Sequence, residues 1–268
     1  MVNKKTNKTS ETKPESQIGT DTSWGNVADW YDGSVEREGS YQRELILPNL
    51  LRLMAIKPGE KIIDIACGQG MFSREFAKAG ATISAFDISS ELIKIAEEKS
   101  KGLNVRYFVA PADKLPAKSA EFDKATIILA LQDIENFSGV VNETARVLKT
   151  GGELFVVINH PIFRFPKRTA WFYDEKRKIQ SRIIDEYMSE TRVKMEVHPG
   201  VEKSAVTIYF HRPLQTYFKM FQKAGFVVSR LEEWVSAKQS EPGPRAVAEN
   251  KARREFPMFM ALALKKLT

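Results

Sequence analysis

Three acids stand where their neighbours give no obvious reason for a charge. Asp64 interrupts the apolar run of KIIDIACGQG, Asp87 closes the run ATISAFD, and Asp113 sits in the short stretch APADKLP. Gly68 and Gly70 follow directly on the run that holds Asp64. Glycine adopts backbone conformations that other residues avoid, and it lets a ligand come close to the main chain. An acid about 20 positions beyond such a loop is placed to accept hydrogen bonds from a ribose diol. The pattern points to a nucleoside held where two neighbouring strands end. His160 in INHPIFRFP and His211 in YFHR add groups able to move a proton near neutral pH. The third histidine, His198, belongs to a HPG turn and reads as structural. Each acid also has a plainer reading: Asp64 as a cap or ion-pair partner, Asp87 as a helix-start acid suited to the dipole, and Asp113 as a turn residue.

These residues need a scaffold that brings strand ends together. From Trp24 onward, short apolar runs alternate with amphipathic stretches. KIIDIA, ATISAFD, NVRYFVA, FDKATIILAL and ELFVVINH read as strands. MFSREFAKAG, SSELIKIAEEKS and NFSGVVNETARVLKTGG read as helices, the first closed by Gly80, the last by a glycine pair. Ahead of them, WGNVADWYD and SYQRELILPNLLRLMAI are helical, the second kinked or split at Pro48. KSAVTIYFHR, FVVSRLEEW and FPMFMALALKK give late strands around the helix RPLQTYFKMFQKAGF. SAKQSEPGPRAVAENKARRE reads as a loop with one helical turn. The expected class is α/β, a doubly wound, mostly parallel sheet. Residues 1–23 read as a disordered tail ahead of a single domain, 24–268, with a helical cap at 24–57 and an inserted lid at 161–204.

The loop chemistry separates two kinds of nucleoside. A pyrophosphate cradle of the G-x-G-x-x-G type wants a third glycine, and Ser73 stands in that place. A sulfonium nucleoside has no phosphate; its amino-acid end carries an ammonium that suits an acid such as Asp64. At this point the chain resembles the class I methyltransferases that use S-adenosylmethionine, in particular the small-molecule type 11 branch of the ubiquinone and menaquinone kind. DIACGQG matches their first motif, with Ala66 in place of a commoner glycine, and AFDIS, APADKLP, FDKATIILALQDIEN and LKTGG follow in order. The resemblance implies a seven-stranded sheet with an antiparallel last strand and a cofactor, S-adenosylmethionine, leaving as S-adenosylhomocysteine. It implies cofactor contacts from Asp64, Ala66, Gly68, Gln69 and Gly70, and from Asp87 and Ile88 at the ribose. Ala112 and Asp113 would lie at the adenine, Ala130, Leu131 and Gln132 under the methyl-bearing part, and Tyr31 over the methionine end.

The acceptor side is less defined. His160, at the end of the fifth strand, is the first candidate for a base, and His211 the second. Phe163, Phe165, Trp171, Phe172, Tyr173 and Tyr187 crowd residues 161–190 and suggest an acceptor wall, with Trp171 and Tyr187 as substrate contacts; an auxiliary core is the plainer reading. The expected reaction moves a methyl group to O, N or C of a small aromatic or hydrophobic acceptor. An RNA methyltransferase is the alternative, because Arg164, Lys167, Arg168, Arg177 and Arg182 interleave with those aromatics. The net charge of +7 is scattered among acids, which speaks against a dedicated nucleic-acid face. No metal-ligand spacing is evident, so no metal is expected. One cysteine excludes an internal disulfide, and the absence of a signal-like start or an apolar run of about 20 residues leads to a cytoplasmic expectation without membrane insertion.

Overall fold

The structure, a computed structural model, describes Trp24, residues 28–196 and residues 206–268, though not the side chains of residues 29–31 and 34. The expected tail at 1–23 and the turn at His198 lie outside the described residues.

The chain opens with helix α1 (Ala28–Glu36), then a π-helical stretch (Gln42–Ile46) running into α2 (Leu47–Met54). The change of helix type falls just ahead of Pro48, as a residue without an amide donor requires. Strand and helix then alternate: β1 (Lys61–Ile65), α3 (Met71–Lys78), β2 (Thr82–Asp87), α4 (Ser90–Lys99), β3 (Val105–Val109), β4 (Phe122–Ile128), a 3-10 turn (Leu131–Asp133), α5 (Phe137–Val147) and β5 (Leu148–Asn159). Two hairpins come next, β6 (Thr169–Asp174) with β7 (Ile179–Ile184), and β8 (Thr191–Glu196) with β9 (Val206–His211). The chain finishes with α6 (Leu214–Lys223), β10 (Phe226–Trp234), α7 (Ala246–Glu255) and β11 (Phe259–Lys266).

Seven strands form one sheet in the order β10-β11-β5-β4-β1-β2-β3. β3, β2, β1, β4 and β5 run parallel to one another, while the last strand, β11, is antiparallel to both β5 and β10. This is the doubly wound sheet anticipated from the alternation. β1 and β4 are adjacent although far apart in sequence, so the strand order reverses between them. Parallel sheets bind ligands in the crevice outside the carboxyl ends at such a reversal.

The sheet is covered on both faces. Ile63, Ile65, Ile127 and Val156 pack with Phe137, Val140, Tyr217 and Phe221 from α5 and α6. Ile62, Ile83, Phe155 and Val157 pack with Leu50, Met54, Phe72 and Phe76 from α2 and α3. Burial on both faces is why β1 reads as a continuous apolar run, and why the acid inside it stands out.

Three expectations need adjusting. α5 stops at Val147 and not at the glycine pair, because Leu148 already pairs with Phe122. Gly151, at φ +77°, and Gly152, closely backed by the Asp123 carbonyl, shape the irregularity between β4 and β5 instead of capping a helix. α7 has 10 residues, not one turn. The 161–190 stretch holds a regular hairpin that its mixed aromatic and charged composition obscured.

Candidate functional site

The turn between β1 and α3 is built from left-handed residues: Ala66 and Gly68 at φ +57° and Gly70 at φ +77°. For Ala66 this is a strained conformation, of the kind that persists where the surroundings over-determine it. At Gly70 the reason for glycine is internal to the fold. A Cβ there would fall 2.3 Å from the Tyr107 hydroxyl, so β3 and not a ligand claims that space. Asp87 holds the turn in shape, its two carboxylate oxygens accepting from Gly68 N and Ser89 N, each at 2.9 Å. Burial pushes Asp87 up, and the amides of Ser89, Gly68 and Ile88 oppose that by stabilising the anion.

Asp64 is 2% exposed and accepts from Ser73 Oγ at 2.5 Å and Thr126 Oγ1 at 2.8 Å. Burial raises it to about 6 in spite of these two donors. Asp64, Ala66, Cys67 and Gln69 line a cavity with Met71, Phe72, Ile128 and Val35 of α1. α1 is pinned over it by ions: Glu36 pairs with Arg74 of α3, and Lys99 of α4 pairs with Asp32 at 2.5 Å. Arg74 also donates to the carbonyl and side-chain oxygens of Gln69, which fixes the amide of that residue.

Two buried polar atoms in this neighbourhood have no partner. Gln69 Nε2 is a donor without an acceptor, and Gln132 Oε1 is an acceptor without a donor. Gln132 Nε2 goes to the Leu129 carbonyl at 2.5 Å and to Asp133 Oδ2 at 3.2 Å, so its oxygen is the free end. Unmet buried polar atoms are costly, and a ligand carboxylate in the cavity that Gln69 lines would satisfy its free donor. The residues therefore fit an amino-acid end of the kind S-adenosylmethionine carries.

The other sequence-named residues are spread more widely. Ile88 is 39% exposed beside Asp87. Ala112 packs against the core, and Asp113 accepts from Asn136 Nδ2 at 2.6 Å. Ala130 caps the 3-10 turn, with Leu131 and Gln132 buried behind it. Tyr31 lies on α1, and its side chain is outside the description.

Both histidines are enclosed. His160 is 1% exposed: Nδ1 accepts from Ile162 N at 3.3 Å, and Nε2 therefore carries the proton toward Glu233 Oε1 at 2.8 Å. Burial lowers His160, with Glu233 opposing. His211 donates from Nε2 to the Tyr187 carbonyl at 2.8 Å and stacks on Phe165, leaving Nδ1 unpartnered. The Tyr187 hydroxyl accepts from Leu214 N at 2.8 Å, which satisfies an open amide at the start of α6. Trp171 is 48% exposed under Arg182. Three cations of this region are engaged: Arg168 with Glu186, Arg182 with Thr169 and the Phe163 carbonyl, and Lys178 with Glu175.

Sequence reasoning passed over Arg212 and Asp133. Arg212 is buried and donates to the carbonyls of Leu131, Ile134 and Glu135, which fixes the turn after β4 from 77 to 81 positions away. A charge inside the aromatic stretch YFHRP was the available signal. Among the described residues no metal-holding cluster of His, Cys, Asp or Glu is present, and no helix is long and apolar enough to cross a membrane.

Comparison with known proteins gives the same direction. Residues 63–156 match a family described as a methyltransferase domain. A demethylmenaquinone methyltransferase of Tropheryma whipplei is 31% identical over 112 residues, 41% of this chain and 46% of that protein. A ubiquinone biosynthesis O-methyltransferase of Xanthomonas axonopodis is 34% identical over 101 residues, 37% of this chain and 42% of that protein. The chain thus spans about half the length of the curated relatives it matches. Among solved structures, an S-adenosylmethionine-dependent methyltransferase from Mesorhizobium loti superposes with a TM-score of 0.66 at 25% identity, over 81% of this chain and 96% of that one. One from Listeria monocytogenes, at 22% identity and a TM-score of 0.64, shares the fold.

Proposed function

With residues 63–156 forming a class I, type 11 methyltransferase domain of the S-adenosylmethionine-dependent kind, we propose that the chain transfers a methyl group to a small aromatic or hydrophobic acceptor. The observation that carries this is the left-handed turn after β1, held by Asp87 over a cavity in which Gln69 Nε2 has no partner. When bound, S-adenosylmethionine supplies a methyl carbon already activated by sulfonium, so the protein's share is alignment and exclusion of water.

Asp87 keeps spare lone pairs on both oxygens after accepting two amides, and these suit a ribose diol. Ile88, Ala112 and Asp113 form the adenine side, and Asp113 has a second oxygen beyond the one bound to Asn136. Gln69 and Gln132 hold the carboxylate and the ammonium, with Asp64 behind them through the turn. Ala130 and Leu131 floor the methyl-bearing end; the family resemblance assigns Tyr31 of α1 to the methionine end. His160, with both nitrogens engaged, ties the exit of β5 to β10 and shapes the acceptor side. The two curated relatives, named for menaquinone and ubiquinone biosynthesis, support a small-molecule acceptor.

Calorimetry with S-adenosylmethionine and S-adenosylhomocysteine tests the reading. Saturable binding is expected, weakened about 10-fold or more in Asp87→Asn, which loses one charged acceptor. Wild-type protein that binds neither compound would overturn the function; normal binding by the variant would overturn the ribose assignment.

A further inference from the structure

The seven-stranded sheet ends on two strands, β10 and β3, and the two edges are built differently. A free strand edge presents unpaired amides and carbonyls that recruit a further strand unless charges, prolines or bulges blunt it. β10 is blunted: a bulge falls between Val228 and Arg230, and Arg52 of α2 pairs with Glu232 at 2.5 Å. β3 has none of these devices. Its register with β2 is regular, it holds no proline, and its one charged residue, Arg106, has no ion pair among the described residues. Phe108 stacks on Phe86 at 4.9 Å between ring centroids and is still 36% exposed, and Val109 is 47% exposed. Beside this edge lies an open hollow of about 350 Å³, lined by Glu97 and Ser100 of α4 and by Val105, Arg106, Tyr107 and Phe108. α4 therefore runs alongside the edge without closing it.

The ladder fixes which groups point outward. Ile83 N donates to the Asn104 carbonyl and Ala110 N to the Asp87 carbonyl, so the even-numbered residues of β3 bond β2. The odd-numbered ones, Val105, Tyr107 and Val109, turn their main-chain groups to the open side. Val105 N is taken by the Leu103 carbonyl at 2.9 Å, which leaves the amides of Tyr107 and Val109 and the carbonyls of all three. The edge sequence, VRYFV, is its own complement: valine at both ends, tyrosine in the middle, a cation on one side and a ring on the other. Laid antiparallel on a copy of itself and centred on Tyr107, it sets Val105 opposite Val109 and Arg106 opposite Phe108. A guanidinium facing an aromatic ring is a favourable cross-strand pair. Centring on Arg106 would instead set two guanidiniums directly opposite each other, which is unfavourable. Centring on Phe108 would set Val105 opposite Pro111, beyond the strand.

We propose that β3 is the contact surface of a reversible dimer, its open edge pairing antiparallel with that of a second copy about a two-fold axis at Tyr107. Each Tyr107 amide donates to the other copy's Tyr107 carbonyl, and each Val109 amide to the other copy's Val105 carbonyl. Such a contact is isologous and closed, so it stops at two copies. An unrelated strand satisfies only the main-chain groups, whereas a copy of β3 also brings the guanidinium and the ring to their complements. Five residues span about 17 Å, a contact below the size of permanent interfaces, so association should be weak and concentration-dependent.

Sedimentation equilibrium of the full chain from about 1 to about 300 µM tests this. A monomer–dimer equilibrium is expected, with the dimer predominant at the upper end. Val109→Pro removes an outward amide without touching the ladder to β2, and should weaken association at least about 10-fold while the variant stays folded by circular dichroism. Register is read by disulfide trapping between two variants, Val105→Cys and Val109→Cys. Mixed, they should cross-link under mild oxidation, since hydrogen-bonded positions lie about 5.5 Å apart at Cα. Either variant alone should not, because like positions then lie four residues apart along the ladder, about 13 Å. Three results overturn the proposal: wild type that stays monomeric at about 300 µM, association unaffected in folded Val109→Pro, or a mixture that cross-links no better than either variant alone. Should Val109→Pro fail to fold, the cross-linking comparison decides by itself.

Discussion

The turn after β1 and the segment after β5 solve the same problem, fixing polar groups beside a crevice, with partners at very different distances along the chain. Around the turn several partners are near: Asp64 bonds Ser73 nine residues on and Asp87 bonds Gly68 nineteen residues back, although Asp64 also accepts from Thr126 Oγ1 62 residues on. After β5 they are remote: His160 meets Glu233 across 73 residues, and Arg212 meets Leu131 across 81. A site held by near neighbours is written as a motif; a site held by remote ones is assembled only when the sheet closes. The first region should therefore tolerate loss of the far elements, and the second should not.

The largest effect expected in the remote region is pH-dependent. Asp133 titrates near 7 when folded and near 3.8 ordinarily, so its contribution to stability is complete below about pH 4 and is lost as pH rises to about 7. Asp133→Asn should be more stable than wild type at pH 8, by up to about 4 kcal/mol, and indistinguishable from it near pH 3.5. Equal urea midpoints at both pH values would show that Asp133 is well solvated. Arg212→Leu, which strands three carbonyls, should lose about 3 kcal/mol in urea denaturation. A loss below about 1 kcal/mol would mean that water replaces the guanidinium, and the contrast between the regions would weaken.

Smaller effects sharpen the near side. Gly70→Ala puts a side chain at φ +77° against Tyr107 and should cost about 2 kcal/mol. Adding Tyr107→Ala should return part of that in a double-mutant cycle, leaving the backbone strain and the close approach to the Ala96 Cβ at 3.0 Å. Additive losses would place the conflict elsewhere. Trp171→Ala, at a half-exposed ring on the β6–β7 hairpin, should change stability by less than about 1 kcal/mol. A larger loss in thermal unfolding would make that hairpin part of the core.

Much of this organisation could be read ahead of folding. The alternation of apolar runs and amphipathic stretches dictated the doubly wound sheet, because strands buried on both faces cannot hide their composition. Asp64, Gly68, Gly70 and Asp87 stood out because acid and glycine are dissonant in such runs. Reading failed where the reason for a residue lay across the molecule. Gly70 is glycine because of Tyr107, and His160, first choice as a base from its place on a strand end, has both ring nitrogens engaged. The hairpin of Thr169–Asp174 and Ile179–Ile184 was obscured because both its faces are partly wet, which blurs the two-residue period.

By itself, then, the sequence determined the element order, the sheet class and the presence of the acid–glycine turn, since these show in periodicity and in near contacts such as Asp64–Ser73 and Asp87–Gly68. Tertiary structure alone decided which charges remain unpaired. Arg212 spends its donors on backbone carbonyls and Arg164 does not, though both read as cations among aromatics. The physical reason is that pairing is a property of position in space: a charge is neutralised by whatever the closed fold sets beside it, and one-dimensional spacing carries no record of a neighbour 80 residues away.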